Sequence, residues 1–203
     1  MKKFFILIAT AAALSFAASE PETHDGFFLS IALGFGYQNI DFVIDDWQSW
    51  PSNDAGTATD IDVKVGGRIV NNTLLHATLT GNTRTGTIGS GYESIKVNMS
   101  LFGLGVTHYF PGNFFATASA GISQFHANSN VRTFEATVAA SANNTEDVNA
   151  GFGFQVGGGK EWWVSDNWAV GASAAFLYGF AYNLDDTKES SLGITARISV
   201  TWN

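Results

Sequence analysis

Strict alternation of bulky apolar residues with small or polar ones is the feature that most constrains this 203-residue chain. From Phe27 to Tyr37, bulky side chains occupy every second position, and after Phe28 the positions between them hold only Ser, Ala and Gly. A period of two residues is typical of a β-strand with two unlike faces. The sequence predicts eight strands, and the bulky phases of the other seven run over Ile61–Ile69, Leu75–Leu79, Ile95–Leu101, Ala116–Ile122, Phe152–Val156, Trp168–Tyr178 and Leu192–Trp202.

The fourth of these segments changes phase part of the way along. Its bulky residues occupy odd positions from Ile95 to Leu101 and even positions from Phe102 to Val106. One extra residue in a strand moves the following side chains to the other phase. The pattern therefore predicts a β-bulge near Leu101–Gly103.

The connections between the strands alternate between short and long. Compositions typical of tight turns occur at Asn71–Asn72, Pro111–Asn113 and Ser165–Asn167. Transmembrane β-barrels have this arrangement, with short periplasmic turns and longer outer loops. Both chain ends are then expected on the periplasmic side. The longer polar links lie near Val43–Thr59, Asn82–Tyr92, Ala127–Asp147 and Asn183–Glu189.

The small-residue phase also carries ionisable side chains, which indicates that it faces inward. An eight-stranded barrel is just wide enough for side chains to fill it, and Arg or Lys on a lipid-facing surface costs about 2–4 kcal/mol at the midplane. The alternative is a soluble lipocalin-like barrel, in which the bulky phase lines a ligand cavity. We interpret the inward charges as a structural network of ion pairs, with a narrow ion path as the alternative. The predicted network consists of Asp62, Lys64, Arg68, Lys96, Glu161 and Arg197.

Aromatic residues of the bulky phase are concentrated at strand ends. Two tryptophans flank the Ser165–Asn167 turn, and tyrosines occupy the far end of the following strand. Such girdles mark the two membrane interfaces of transmembrane barrels. The predicted girdle consists of Trp162, Trp168, Tyr178, Tyr182 and Trp202.

The N-terminus has the pattern of a secretory signal. Lys2 and Lys3 precede the apolar run Phe4–Ala18, and small residues precede Glu20. The run is too short to span a membrane, which needs about 20 apolar residues. Residues 1–19 are therefore predicted to be a cleaved signal peptide and residues 20–203 a single barrel domain, with a cut after Ala17 as the alternative.

The chain resembles the small bacterial outer-membrane β-barrel proteins, of the OmpA-transmembrane-domain and OmpX-like type. The resemblance covers nearly all of Gly26–Asn203. It depends on the first strand, Gly26–Tyr37, and on the strand–turn–strand phrase Gly159–Trp168, and the final strand supports it. It implies an all-β, eight-stranded, antiparallel, up-and-down transmembrane β-barrel in the bacterial outer membrane. Members tend to end on an aromatic residue that is read by the barrel assembly machinery, whereas here Trp202 is followed by Asn203.

Several classes of function are excluded or not expected. The chain has no cysteine, so it has no disulfide, thiolate metal site or cysteine nucleophile. The chain has a net charge of −8, so it lacks the basic surface of a nucleic-acid-binding protein. No cofactor motif is present, and no cofactor is expected. The four histidines lack the spacing of metal ligands. His126 precedes Ser129, and outer-membrane lipid A deacylases hold a histidine and a serine close together. The sequence places no carboxylate partner beside this pair, so no enzyme is expected.

The predicted function is a structural or surface-interaction role: envelope integrity, adhesion or ligand binding through acidic outer loops, without a large pore. Trp47 and Trp50 in the first link are candidate anchors for a partner, or else they lie on the barrel rim. Acidic loop residues are candidate ligands for divalent ions that bridge lipopolysaccharide phosphates, or else form a solvated surface. The alternatives are a narrow channel for small solutes or ions and a lipid A-modifying enzyme. The expected partners are outer-membrane lipid, lipopolysaccharide and the assembly machinery, with the chain a monomer.

Overall fold

The computed structural model describes residues 23–24, 26–41, 55–88, 93–129, 150–182 and 188–203. The signal peptide predicted for residues 1–19 and its boundary lie outside the described residues, and both stay predictions. In the described part of the chain, no helix is long and apolar enough to cross a bilayer.

Eight antiparallel strands form one closed barrel, and this confirms the predicted fold class. Each strand pairs with its neighbour in sequence, and β1 pairs with β8 to complete the circle. Closure leaves no strand edge unpaired, so the backbone of every strand is hydrogen-bonded on both sides. The strands are β1 (Phe27–Asp41), β2 (Gly56–Val70), β3 (Thr73–Ile88), β4 (Glu93–Phe110), β5 (Phe114–Ser129), β6 (Ala150–Ser165), β7 (Trp168–Tyr182) and β8 (Lys188–Trp202).

Tight turns connect the strands at one end of the barrel, here called the turn end. Asn72, Gly112 and Asn113 have φ angles of 58°, 80° and 59°. Asn and Gly tolerate this left-handed region better than other residues, which explains their presence at these positions. The opposite end, here called the loop end, carries the links 42–55, 89–92, 130–149 and 183–187.

The links are shorter than their composition predicts, because polar strand ends face into the barrel. The link predicted over Asn82–Tyr92 is mostly strand, since β3 continues to Ile88. Asn82 and Arg84 belong to its inward face and are 0% and 2% exposed. Polar residues at every second position near the end of a strand, where they face into the barrel, therefore gave this segment the composition of a loop.

The β-bulge predicted near Leu101–Gly103 is absent from the structure. The pairing of β4 with both neighbours runs without interruption through these residues. Met99 and Leu101 are fully buried inside the barrel, whereas Phe102 and Leu104 are 62% and 66% exposed outside it. The backbone keeps its alternation, and it is the interior that changes from polar to apolar along the strand.

A cluster of apolar side chains occupies part of the loop half of the barrel interior, beside buried polar residues such as Arg84 and Glu189. Met99 fits there because Gly179 has no side chain; a Cβ atom at position 179 would collide with the Met99 Cε atom. We call this cluster the loop-side apolar layer; it comprises Ile40, Val97, Met99, Leu101, Phe125, Leu177 and Ala181. A second cluster, the turn-side apolar cluster, consists of Phe28, Leu74 and Tyr109, with Phe115 packed against it. Polar and charged residues occupy the space between the two.

The outer surface of the barrel, here called the outer wall, is apolar. Leu33, Phe35 and Ile198 are 59%, 61% and 71% exposed, and many other large hydrophobic residues accompany them. A contiguous exposed apolar surface of this extent, around a charged interior, is what a lipid bilayer requires of a barrel.

Replacing Leu101 by alanine is expected to destabilise the barrel more than replacing Leu104. Leu101→Ala leaves an internal cavity and is expected to cost about 2–5 kcal/mol. Leu104→Ala costs less, because lipid chains fill the space it leaves on the outer wall. Urea unfolding in lipid vesicles, followed by tryptophan fluorescence, measures both changes. Equal losses would contradict the inward orientation of Leu101.

Candidate functional site

A buried cluster of charges, here called the central charge network, lies between the two apolar clusters. It consists of Asp60, Asp62 and Lys64 from β2 and Arg197 from β8. Residues at alternate positions of a strand share a face, so the three β2 side chains all enter the barrel. Each of the four is less than a tenth exposed.

Arg197 connects the two aspartates. Its Nε and Nη2 atoms both donate to the Asp60 carboxylate, with an Nη2–Oδ2 distance of 2.9 Å. Its Nη1 atom lies 3.3 Å from Asp62 Oδ2, and Lys64 Nζ donates to that same oxygen. Two-point contact between guanidinium and carboxylate adds geometric specificity to the attraction.

Neutral side chains from other strands complete the hydrogen bonding of this network. Gln155 Nε2 donates to Asp62 Oδ1 at 3.0 Å, and Gln155 Oε1 accepts from Arg197 Nη1 at 3.1 Å. Thr80 donates to Asp62 at 2.5 Å and Asn82 to Asp60 at 3.3 Å. Two carboxylates thus balance two cations, which offsets the cost of burying each charge alone.

Glu161 lies apart from the central charge network, near the turn end. The hydroxyls of Tyr109 and Thr201 donate to its two carboxylate oxygens at 3.0 and 2.7 Å. His24, which precedes β1, stacks on the Tyr109 ring with 3.4 Å between ring centroids and is 7% exposed. The His24 ring is therefore buried against Tyr109 near the turn end of the barrel.

His76 is buried in the barrel interior and belongs to a chain of hydrogen-bonded hydroxyl groups. Its ring nitrogens lie 2.9 Å from Thr78 Oγ1 and 3.0 Å from Thr107 Oγ1. The chain continues from Thr78 to Ser119 and from Thr107 to Thr117. These hydrogen bonds join β3, β4 and β5 inside the barrel.

Four of the six residues predicted for the interior network are buried inside the barrel: Asp62, Lys64, Glu161 and Arg197. The prediction is wrong for the other two. Lys96 is exposed on the outer wall, because its neighbours Val97 and Met99 belong to the inward phase. Arg68 is exposed at the turn end, where the register shifts between Arg68 and Val70 next to a turn.

Sequence reasoning missed Asp60, Gln155, Arg84 and Glu189 as buried interior residues. Asp60 shares its phase with Asp62 and Lys64, and this signal was sufficient to find it. Arg84 and Glu189 were assigned to outer links, although each continues the inward phase of its strand. Gln155 alternates with Phe154 and Val156, but its partners become visible only when the barrel closes.

The five residues of the predicted girdle all lie on the outer wall. Trp162, Trp168 and Trp202 lie near the turn end, where the Trp168 and Trp202 rings meet edge to face with centroids 4.9 Å apart. Tyr178 and Tyr182 lie toward the loop end of β7. An indole or phenol at such a height has an apolar body for lipid and a polar group for the interface.

Of the remaining candidate residues, some lie among the described residues and others do not. His126 is exposed near the loop end of β5, and the side chain of Ser129 lies outside the described residues. Trp47, Trp50 and most of the acidic link residues lie outside them as well. Among the described residues, no group of histidine and carboxylate side chains has the arrangement of a metal site.

A cavity of about 20 Å³ lies in the interior, between the central charge network and Glu161. A cavity of this size has room for a water molecule. Its walls include Asp62, Lys64, Glu161 and Arg197. This part of the interior is therefore closely packed, and charged and hydroxyl groups line it.

Removing Arg197 is expected to destabilise the barrel strongly. Arg197→Met leaves the Asp60 carboxylate buried without its cation, which costs about 3–5 kcal/mol. The matched control is Arg68→Met, which changes an exposed arginine and is expected to shift stability by less than about 0.5 kcal/mol. Urea unfolding in lipid vesicles compares the two, and the double variant Asp60→Asn/Arg197→Met is expected to recover part of the loss. Equal effects of the two arginine variants would contradict the network.

No protein-family model matches the sequence, and no curated protein is significantly similar to it. Among solved structures, Neisserial surface protein A has a TM-score of 0.53 at 12% identity, over 87% of this chain and 96% of that chain. Ail of Yersinia pestis has a TM-score of 0.44 at 11% identity, over 85% of this chain and 98% of its own. OprG of Pseudomonas aeruginosa has a TM-score of 0.41 at 10% identity, over 89% of this chain and 96% of its own.

The similarity to Neisserial surface protein A concerns the fold. The location of the chain follows from its apolar outer wall. Closed barrels with an apolar band facing outward are proteins of outer membranes, and an even number of strands is the rule for those of bacteria. The chain therefore has the fold of the small eight-stranded β-barrels and lies in the bacterial outer membrane.

Proposed function

We propose that the protein is a structural and surface-interaction barrel of the outer membrane, without a large pore. The observation that carries this proposal is the filled interior. The loop-side apolar layer and the turn-side apolar cluster occupy the two halves of the lumen, and in the central charge network between them two cations pair with two carboxylates. Eight strands leave no space for a water-filled channel of porin size.

The interaction surface in this proposal is the loop end. The links 42–55 and 130–149 are much longer than the tight turns at the other end, and outer loops of such barrels face the environment. These links are rich in acidic residues, which favours cationic partners and divalent ions bound to lipopolysaccharide. We assign no catalytic role to the described residues.

The remaining partners follow from the barrel itself. Lipid and lipopolysaccharide surround the outer wall, and the assembly machinery acts during insertion. Because β1 and β8 pair within one chain, the barrel needs no second copy to complete its sheet, which supports a monomer.

Planar-bilayer recording tests the absence of a large pore. The purified chain is expected to give no steady, large single-channel currents, since the lumen is filled by side chains from both ends. A 16-stranded porin, which has an aqueous channel, serves as the positive control in the same bilayers. Steady currents of porin size would overturn this part of the proposal and favour the solute channel.

Protease treatment of intact cells tests which end faces outward. An epitope inserted in residues 130–149 is expected to be cut by external protease, because this link lies at the loop end. The matched control is the same epitope in the turn at Asp166–Asn167, which is expected to be protected until the outer membrane is permeabilised. Protection of the first epitope and cleavage of the second would reverse the topology and remove the proposed interaction surface.

A further inference from the structure

Lys160 is a cation on the apolar outer wall. It belongs to the outward phase of β6, between the inward-facing Gly159 and Glu161, and its side chain is half-buried. Its Nζ atom lies 4.5 Å from the centroid of the Phe114 ring and 5.9 Å from that of the Trp162 ring. Both distances are in the range in which the ring face attracts a cation. The two rings thus hold the ammonium group against the wall.

Its height in the membrane follows from the pairing of the strands. Lys160 lies opposite Phe114, which is the first residue of β5 after the turn at the turn end. A lysine on a lipid-facing surface is costly at the midplane and nearly without cost near the interface. Its long stem can follow the apolar wall while the ammonium group reaches the headgroups.

Lys160 forms no ion pair with a carboxylate of the described residues, in contrast to the buried cations Lys64 and Arg197. Glu161, its neighbour in sequence, points to the opposite face of the sheet and bonds to Tyr109 and Thr201. The anion that lies at this height around a barrel is the phosphate of a lipid headgroup. A lysine ammonium has three donors for its oxygens.

We propose that Lys160, framed by Phe114 and Trp162, binds the phosphate of a glycerophospholipid in the leaflet at the turn end of the barrel. Trp162 is 49% exposed, and an indole at the interface offers its ring to the acyl chains and its N–H group to the headgroup. This site lies at the opposite end from the proposed interaction surface, so the two are independent.

The wall beside Lys160 also has room for an acyl chain. The next rung toward the midplane consists of small outward residues on four adjacent strands, which leaves the wall recessed. The following rung is bulkier and limits the recess with Val156, Phe176 and Ile194. The small residues are Ala116, Gly158, Ala174 and Ala196, paired in that order.

Native mass spectrometry of the purified chain in a detergent without phosphate tests the site. Phosphatidylglycerol is titrated, and the fraction of barrels that retain one lipid is measured. Lys160→Gln is expected to weaken retention about fivefold, the effect of one basic residue at a membrane surface. Lys160→Arg is expected to retain the lipid, and Ala174→Leu, which fills the recess, to weaken retention. Heat-modifiable migration on gels verifies that each variant is folded.

The matched control is Lys96→Gln, which removes one exposed lysine from the outer wall at the loop end, and it is expected to leave retention unchanged. Diacylglycerol, which has no phosphate, is expected to bind the wild-type chain and Lys160→Gln equally. The proposal is overturned by wild-type retention in Lys160→Gln, by an equal loss in Lys96→Gln, or by displacement of the lipid with excess inorganic phosphate, which would indicate a site for free phosphate. If Lys160→Gln does not fold, loss of retention in folded Lys160→Arg also overturns it.

Discussion

The pairing of β1 with β8 is the constraint on which the rest of the structure depends. A bilayer offers no water to an unpaired backbone, so a sheet inside it has to satisfy every N–H and C=O group internally. The ladder from Leu29–Trp202 to Asp41–Ser190 closes the circle. Closure with eight strands gives each residue an inward or an outward face and makes the lumen narrow enough to be filled by side chains.

The filled lumen follows from that geometry in two different ways. In the middle of the barrel, Arg197 joins two aspartates that would otherwise repel each other, and neutral side chains satisfy the remaining oxygens. Toward the loop end, Met99 and Leu101 pack like the core of a soluble protein, with the side chains of Arg84 and Glu189 buried in the same half of the barrel. Both solutions fill the lumen with side chains, which connects the packing to the proposed function without a large pore.

Alternation predicted the strands well, and it predicted their faces only where the interior is polar. In β8 and in the middle of β1, small or polar residues face inward as expected, and Arg197 was recognised. In β4, bulky residues occupy both faces in turn, so the phase was assigned to the wrong side and Lys96 was placed inside. The same ambiguity produced the predicted bulge, because hydrophobicity does not distinguish lipid from an apolar protein interior.

The sequence by itself determined the number of strands, their antiparallel order and the positions of the tight turns, because period-two patterns and Asn–Gly turn chemistry are local. Only the tertiary structure decided which charges meet. Asp60 and Arg197 are 137 residues apart in sequence, and they meet across the interior when closure pairs β8 with β1, whose other neighbour is β2. It also decided that Lys160 lies on the wall between two aromatic rings, since Phe114 belongs to another strand and its register depends on the whole barrel.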